Sequence, residues 1–237
     1  MVDTKELVGR YAASYVKDGM VVGLGTGSTA YWFVEELGAR IADGRLKQIV
    51  GVATSRRTAE QALKLGITIM DLDRVNHIDL VVDGADEVTR DFYGIKGGGG
   101  ALLHEKIVAK NAKRSIWVVG EDKVVDTLGA FPLPVEVVPF GSWNLFRQLM
   151  AAGLEPSFRK VGSDSLYMTD SGNYIIDLKL GQIPYPHQLA HELKNTVGVV
   201  EHGLFLDVCD TFLVGRADGS ILLYQKDQAE PMTIEVN

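Results

Sequence analysis

The sequence has few of the features that mark secreted, membrane-spanning or nucleic-acid-binding proteins. Its 237 residues include one cysteine, Cys209, so no disulfide can form within the chain, which fits a reducing compartment. No apolar run approaches the roughly 20 residues of a membrane span, and the N-terminal stretch lacks the apolar core of a secretion signal. Acidic residues outnumber basic ones by 31 to 24, which argues against a broad nucleic-acid-binding face. We therefore expect a cytoplasmic protein that binds neither nucleic acid nor membrane.

The first half of the chain alternates strand-like and helix-like segments. Short apolar runs predict strands within 20–25, 48–54, 68–72, 78–88 and 115–123, and the segments between them predict helices over 5–17, 28–44, 55–66 and 101–114. Ser28 or Thr29 is the expected N-cap of the second helix, and Gly44 its stop. Continuous apolar strands are typical of a sheet buried on both faces. The pattern predicts an α/β fold with an open, mostly parallel, Rossmann-like sheet and helices on both faces.

The pattern changes at three prolines, Pro132, Pro134 and Pro139. Beyond them we predict a helix over 142–153, a hairpin over 165–180 that turns at 170–173, and a helix over 187–196. A final hairpin, 210–225 with its turn at 217–220, is expected to return to the first sheet. We therefore expect a Rossmann-like catalytic domain of residues 1–131 and 207–237. A smaller α+β domain of residues 132–206 would be inserted in it, as a lid or an oligomer interface.

A glycine-rich turn, GLGTGSTA, covers residues 23–30 between a strand and a helix. Glycines let backbone N–H groups approach an anion, the helix N-terminus favours negative charge, and Thr26, Ser28 and Thr29 add hydroxyl donors. The turn matches neither the dinucleotide fingerprint nor a P-loop. Phosphate or carboxylate binding and a plain strand–helix turn are the two interpretations of this stretch.

An acidic stretch, DGADE, follows the apolar strand IDLVV. Ligands of open α/β sheets bind outside the carboxyl ends of strands. Asp83 and Asp86 could accept hydrogen bonds from sugar hydroxyls there. The alternative is a turn with a capping aspartate. A metal site is the lesser option, since no histidine pattern accompanies the carboxylates. His187 and His191 lack the glutamate of a zinc-protease helix, and Cys209 has no histidine near it in sequence.

Four consecutive glycines follow Lys96, and Glu105 lies in the helix after them. At about 100° per residue, Lys106, Lys110 and Lys113 share one stripe that should face water, whereas Glu105 interrupts a small apolar stripe. A carboxylate held there would be partly desolvated, which raises its pKa and suits a general base. The alternative is an ordinary glutamate paired with Lys106 or Lys110. Lys123, after a later strand, could meet a phosphate or lie in a solvated loop.

The ordered set GLGTGSTA, DGADE, IKGGGGALLHEK, GEDK and FPLPVEV resembles type A ribose-5-phosphate isomerases over nearly the whole chain. The resemblance implies a sugar-phosphate substrate, no metal or organic cofactor, and a homodimer or homotetramer. It makes Glu105 the catalytic proton acceptor, with Asp83, Asp86 and Lys96 as further catalytic residues. The residues that it implies for substrate binding are Thr26, Gly27, Ser28, Thr29, Asp83, Gly84, Ala85, Asp86, Lys96, Gly97, Gly98, Gly99 and Lys123, and Lys5 is a further candidate near the phosphate.

The expected reaction interconverts ribose 5-phosphate and ribulose 5-phosphate through an enediolate, in the non-oxidative pentose phosphate pathway. Glycine amides and Lys96 would meet the charge that develops on the carbonyl oxygen, and Glu105 would carry the proton. Asp83 or Asp86 would help to open the sugar ring. Two alternatives stay open: a sugar-phosphate-binding regulatory module without catalysis, and a related enzyme such as an amino-sugar-phosphate deaminase or a coenzyme A transferase.

Overall fold

Two sheets organise the fold, and the computed structural model describes residues 2–236. The strands are β1 (Val21–Leu24), β2 (Val50–Ala53), β3 (Thr68–Ile69), β4 (Leu80–Gly84), β5 (Glu87–Val88), β6 (Gly94–Ile95), β7 (Ser115–Gly120), β8 (Leu133–Val137), β9 (Pro156–Phe158), β10 (Lys160–Val161), β11 (Ser165–Leu166), β12 (Tyr174–Leu178), β13 (Val199–His202), β14 (Leu204–Phe205), β15 (Thr211–Gly215), β16 (Ser220–Gln225) and β17 (Met232–Glu235). The helices are α1 (Thr4–Ala12), α2 (Ser28–Ala42), α3 (Arg56–Lys64), α4 (Leu102–Lys110), α5 (Ser142–Ala151) and α6 (Pro186–Lys194). Within residues 2–236, no helix is both long and apolar enough to cross a membrane.

The larger sheet has eight strands in the order β17-β16-β15-β7-β4-β1-β2-β3. The six strands from β15 to β3 run parallel, and β16 and β17 are antiparallel to their neighbours. Successive residues of β4 enter different cores: Leu80 and Val82 pack with α1–α3, whereas Val81 packs with Val108 of α4. Helices therefore cover both faces, and the predicted open, mostly parallel α/β fold is confirmed.

The smaller sheet has the order β13-β8-β12-β9 and is antiparallel throughout. Its apolar face packs with side chains of α5 and α6, such as Leu145 and Leu193. The hairpin predicted over 165–180 is wrong in its pairing, because β11 pairs with β10 and β12 pairs with β8 and β9. The buried side chains of β12 pack on both sides of the sheet, Ile176 and Leu178 in one core and Ile175 in another. The predicted turn is present, because the Thr169 N–H donates to the Asn173 carbonyl at 2.9 Å and a bridge joins Met168 to Tyr174.

Two helix ends also differ from the prediction. Gly27, rather than Ser28 or Thr29, is the N-cap of α2, and no side chain caps this end. Gly27 has φ +129°, a conformation that favours glycine, so the chain enters the helix one residue earlier. The first helix ends at Ala12 and continues only as a 3₁₀ turn over Ala13–Tyr15, short of the predicted Lys17. The hairpin of β15 and β16 joins the larger sheet beside β7, as expected.

Candidate active site

The carboxyl ends of three adjacent strands, β1, β4 and β7, meet at one edge of the larger sheet. The loops that follow these strands, together with the glycine run after β6, surround a cavity of about 200 Å³. Every residue predicted to bind or transform the substrate lines this cavity, except Asp83, which lies behind it. The lining residues are Lys5, Thr26, Gly27, Ser28, Thr29, Gly84, Ala85, Asp86, Lys96, Gly97, Gly98, Gly99, Glu105, Val119, Gly120, Asp122 and Lys123.

Three buried charged side chains form the floor of the cavity. Lys96, Asp83 and Glu105 are each less than 5% exposed. The Lys96 Nζ atom lies 3.0 Å from Asp83 Oδ2 and 3.3 Å from Glu105 Oε1, and it donates to the Gly84 carbonyl at 2.6 Å. One ammonium group is thus shared by two carboxyl groups. Glu105 is paired with Lys96, so the alternative pairing with Lys106 or Lys110 is not the one observed.

The two carboxyl groups differ in how well their oxygens are satisfied. Asp83 Oδ1 accepts from the backbone N–H groups of Thr26, at 3.0 Å, and Gly84, at 2.8 Å, while Oδ2 faces Lys96. Glu105 Oε2 is buried and has no hydrogen-bond partner within residues 2–236. Burial raises the pKa of both groups, against the effect of Lys96, and it brings the pKa of Glu105 to about 8. Glu105 is therefore the carboxyl that exchanges its proton close to neutral pH.

Lys96 keeps its charge in this buried position. Burial disfavours the ammonium form, but the carboxylates of Asp83 and Glu105 outweigh that effect and raise the pKa of Lys96. The Nζ atom also lies 5.3 Å from the centroid of the Phe205 ring, a contact that favours a cation. The floor of the cavity thus combines a fixed positive charge with a carboxyl group that can gain or lose a proton.

The glycine run places backbone against Asp86 and Tyr167. Asp86 Oδ2 accepts from the Gly98 N–H at 2.7 Å, and a Cβ atom at Gly98 would lie only 2.5 Å from Asp86 Oδ1. Gly100 has φ +81°, and a Cβ atom there would meet the Tyr167 ring. The Gly99 N–H makes no hydrogen bond within residues 2–236, so it is free to face a ligand. Glycine is therefore required at Gly98 for the close approach to Asp86 and at Gly100 for the turn.

The first loop is held by a cluster of hydroxyl groups that the sequence analysis missed. The Thr26 hydroxyl lies 2.7 Å from that of Thr54, 2.8 Å from that of Ser55 and 3.1 Å from that of Thr58. It therefore points into this cluster and anchors the loop, in contrast to its expected use as a donor to the ligand. Ser28 and Thr29 remain at the uncapped N-terminus of α2, which faces the cavity. The only signal in the sequence was a run of hydroxyl residues after β2.

Two further lysines line the cavity. Lys123 ends a 3₁₀ turn after β7, and its Nζ atom lies 3.1 Å from Asp122 Oδ2. Lys5, in the first turn of α1, lines the same cavity. The first residues of α2 line the same cavity, so Lys5, Lys123 and this helix N-terminus together supply the positive charge that an anionic group needs. The sequence analysis did not anticipate Asp122 or Val119 in the lining.

The sequence model of the ribose 5-phosphate isomerase A (phosphoriboisomerase A) family matches residues 50–219. This chain belongs to that family. A ribose-5-phosphate isomerase A of Streptococcus agalactiae is 58% identical over 223 residues, which cover 94% of this chain and 99% of the relative.

Two solved structures agree with the family assignment. One is a D-ribose-5-phosphate isomerase in complex with phospho-erythronic acid, which is 36% identical, has a TM-score of 0.89 and covers 99% of this chain and 98% of its own. The other is the ribose 5-phosphate isomerase of Plasmodium falciparum, which is 33% identical, has a TM-score of 0.91 and covers 96% of this chain and 100% of its own. The family's fold thus extends over almost the whole chain.

The predicted water-facing stripe of lysines on α4 is wrong at Lys106. Its Nζ atom donates to Glu201 Oε1 at 2.8 Å and to the His202 carbonyl at 2.6 Å, and it lies 4.8 Å from the centroid of the Phe205 ring. Burial lowers the pKa of Lys106 to about 8, although Glu201 opposes this shift. Strand β13 covers this face of α4, a packing that the helical period cannot predict. Lys110 and Lys113 are exposed.

The remaining candidates lie outside the cavity. Among residues 2–236, no group of three or more histidine, cysteine, aspartate or glutamate side chains is arranged to hold a metal ion. His187 lies 3.9 Å from Asp207, and its ring packs edge-on against Tyr93. Cys209 is buried, and burial raises the pKa of its thiol. Neither residue lines the cavity.

Proposed function

We propose that this chain is an aldose–ketose isomerase that interconverts D-ribose 5-phosphate and D-ribulose 5-phosphate. The observation that carries the proposal is the Glu105 carboxyl, buried beside Lys96 with Oε2 unpartnered, at the floor of a cavity with free backbone donors. Such a group suits proton abstraction next to a carbonyl, because a general base works best with a pKa near the working pH. Membership of the isomerase family supports the same reaction.

In the proposed mechanism, ionised Glu105 takes the proton from C2 of the open-chain aldose. The electrons of the C–H bond form the C1–C2 double bond of the enediolate, and those of the carbonyl bond move to the oxygen on C1. Lys96 and the Gly99 N–H stabilise this developing charge. The hydroxyl proton on the C2 oxygen then passes to the oxygen on C1. Glu105 returns its proton to C1 as the electrons of the C1–C2 double bond form the new C–H bond and those on the C2 oxygen form the carbonyl of the ketose. The scheme needs only these protein groups, without a metal or an organic cofactor.

We assign ring opening to Asp86 in preference to Asp83. Asp86 lines the cavity, whereas both oxygens of Asp83 are used by the Thr26 and Gly84 N–H groups and by Lys96. Asp83 instead holds Lys96 in place. A carboxylate at Asp86 can accept the proton of the anomeric hydroxyl as the C1 carbonyl forms and the bond between C1 and the ring oxygen breaks, and it can then return that proton to the ring oxygen.

We propose that the phosphate binds beside Lys5, Lys123 and the N-terminus of α2. The N-terminus of α2 supplies backbone N–H groups and the hydroxyls of Ser28 and Thr29, and Lys5 and Lys123 supply positive charge. Binding there would leave the reacting end of the sugar above Glu105. The bound phosphate would thus fix the position of C1 and C2 of the sugar relative to Glu105.

The test of the function is turnover by wild type and by Glu105→Gln, with Glu60→Gln as control. Glu60 is an exposed glutamate of α3 that does not line the cavity. We expect wild type and the control to form ketose from ribose 5-phosphate and Glu105→Gln to lose nearly all activity. Tight binding of ribose 5-phosphate by wild type without turnover would instead favour the regulatory module. Turnover of glucosamine 6-phosphate or an acyl-coenzyme A would favour a related enzyme.

We further propose a cytoplasmic enzyme of the non-oxidative pentose phosphate pathway that works as a homodimer or homotetramer. Residues 1–131 and 207–237 would form the catalytic domain, and residues 132–206 the small domain. Phe140, 95% exposed, and Trp143, 58% exposed, lie together on the small domain and make it the natural interface. Sedimentation of wild type and Phe140→Ser tests this, since the substitution should shift the protein toward smaller species.

A further inference from the structure

One side chain of the small sheet reaches the glycine run of the cavity. Arg159 follows β9, and its backbone is fixed there: its N–H donates to the Ile175 carbonyl and its carbonyl accepts from the Tyr167 N–H, both at 2.9 Å. Its guanidinium Nη1 atom donates to the carbonyls of Gly97, at 2.8 Å, and Gly98, at 3.1 Å. Residues 61 and 62 positions apart in sequence thus meet through one cation.

Asp177 of β12 holds this guanidinium in a two-point ion pair. Arg159 Nε donates to Asp177 Oδ2 at 3.0 Å, and Nη2 donates to Asp177 Oδ1. Both side chains are at least four-fifths buried. A planar guanidinium with two of its donors fixed by a carboxylate has its remaining donors aimed in one direction. Here that direction is the outer side of the glycine run.

The carbonyl contacts determine where the amides of the run point. In a planar peptide unit the C=O and N–H groups point in opposite directions. Because Arg159 donates to the Gly97 carbonyl, the N–H of the same peptide, which belongs to Gly98, is directed at Asp86, to which it donates at 2.7 Å. With the Gly98 carbonyl bound to Arg159, the Gly99 N–H points the other way and makes no hydrogen bond within residues 2–236. Glycine has the largest backbone freedom, so the orientation of these peptides depends on such contacts. The Gly97 carbonyl also accepts from the Gly100 N–H at 2.9 Å, so the turn and Arg159 hold that peptide together, whereas the Gly98 carbonyl is held by Arg159.

We propose that Arg159, held by Asp177, is a positioning residue that orients the Gly98 and Gly99 peptides for catalysis. Neither side chain lines the cavity, so both act through the glycine run. The inference rests on the proposed isomerase function for its kinetic part. It gives the small sheet a role in the reaction, because it ties β9 and β12 to the donors that meet the enediolate charge.

The test compares Arg159→Met, Asp177→Asn, the double variant and a matched control. Arg74→Met is the control, because Arg74 forms an exposed pair with Asp71 at 3.8 Å and neither residue lines the cavity. Kinetics with ribose 5-phosphate give kcat and KM. Hydrogen exchange of the substrate-free proteins, followed by mass spectrometry on the peptide with residues 97–101, reports the glycine run without relying on activity. The double variant leaves no unpaired charge if Arg159→Met alone fails to fold.

We expect Arg159→Met to lower kcat by about tenfold or more. KM should change by less than about threefold, since the proposed phosphate site at Lys5, Lys123 and the N-terminus of α2 is unchanged. Exchange at 97–101 should become faster than in wild type and in Arg74→Met. The double variant should be no worse than Arg159→Met, because the two residues act as a unit. Unchanged kcat, unchanged exchange or additive losses would each overturn the inference. If wild type does not isomerise, the proposed function fails, and the exchange comparison still decides whether Arg159 orients the run.

Discussion

The buried proton on Glu105 predicts a pH-dependent free energy of unfolding. Burial raises the pKa of this carboxyl from 4.5 to about 8, so between these values the folded protein holds a proton that the unfolded chain has lost. Below pH 4.5 both states are protonated, and the stabilisation is fully present. As pH rises toward 8, Glu105 lowers the free energy of unfolding by up to about 1.4 kcal/mol per pH unit.

Glu105→Gln removes this titration and keeps the size of the side chain. The free energy of unfolding of the variant, relative to wild type, should therefore increase from pH 5 to pH 8 by up to about 4 kcal/mol. Titrating groups outside the cavity are common to both proteins, so they cancel in the difference. Glu60→Gln, which changes an exposed glutamate, should show a difference from wild type that does not change with pH.

The assay is urea unfolding at pH 5, 6, 7 and 8, at one protein concentration. Tryptophan fluorescence reports the transition, since Trp117 of β7 is buried beside the cavity's sheet edge. A difference between Glu105→Gln and wild type that stays constant from pH 5 to 8 would refute the reasoning. It would mean that Glu105 does not change its protonation in this range, and the account of its buried, unpartnered oxygen would fail.

Three further predictions, with four substitutions, test other parts of the cavity. Lys123→Ala should raise KM for ribose 5-phosphate by about tenfold, while a lower kcat at unchanged KM would contradict its phosphate role. Lys96→Met leaves two buried carboxyl groups without their cation, so urea unfolding at pH 7 should show a loss of about 3–5 kcal/mol, and a loss below about 1 kcal/mol would contradict this. Gly98→Ala should lower Tm more than Gly99→Ala, because its Cβ would lie 2.5 Å from Asp86 Oδ1, whereas at Gly99 the nearest atom is 3.6 Å away; equal Tm values would argue against the close approach.

The sequence predicts the parts of the cavity that follow strands in the chain. Asp83 and Lys123 are found by pattern, because they lie at the carboxyl ends of β4 and β7, which meet at one edge of the larger sheet. Lys96 is marked by the glycine run that follows it. A polar residue in the apolar stripe of α4 also signals that Glu105 faces the interior.

Contacts between distant segments are not visible in local patterns. Arg159 meets Gly97 across 62 positions, and Lys106 meets Glu201 across 95. The period of α4 placed Lys106 in water because nothing local indicates that β13 covers that face. The direction of the Thr26 hydroxyl likewise depends on Thr54 and Thr58, which come from the next strand and helix. Predicting these contacts requires knowing how the small sheet and the neighbouring loops pack.

The central claim is that this chain moves a proton between C2 and C1 of a sugar phosphate through Glu105. The most direct measurement is proton NMR of ribose 5-phosphate with the purified protein in D₂O and EDTA. We predict that ribulose 5-phosphate appears with deuterium at the reacting carbons, and that Glu105→Gln leaves the spectrum unchanged. An unchanged spectrum with folded wild type, or product formed at an equal rate by Glu105→Gln, would contradict the account.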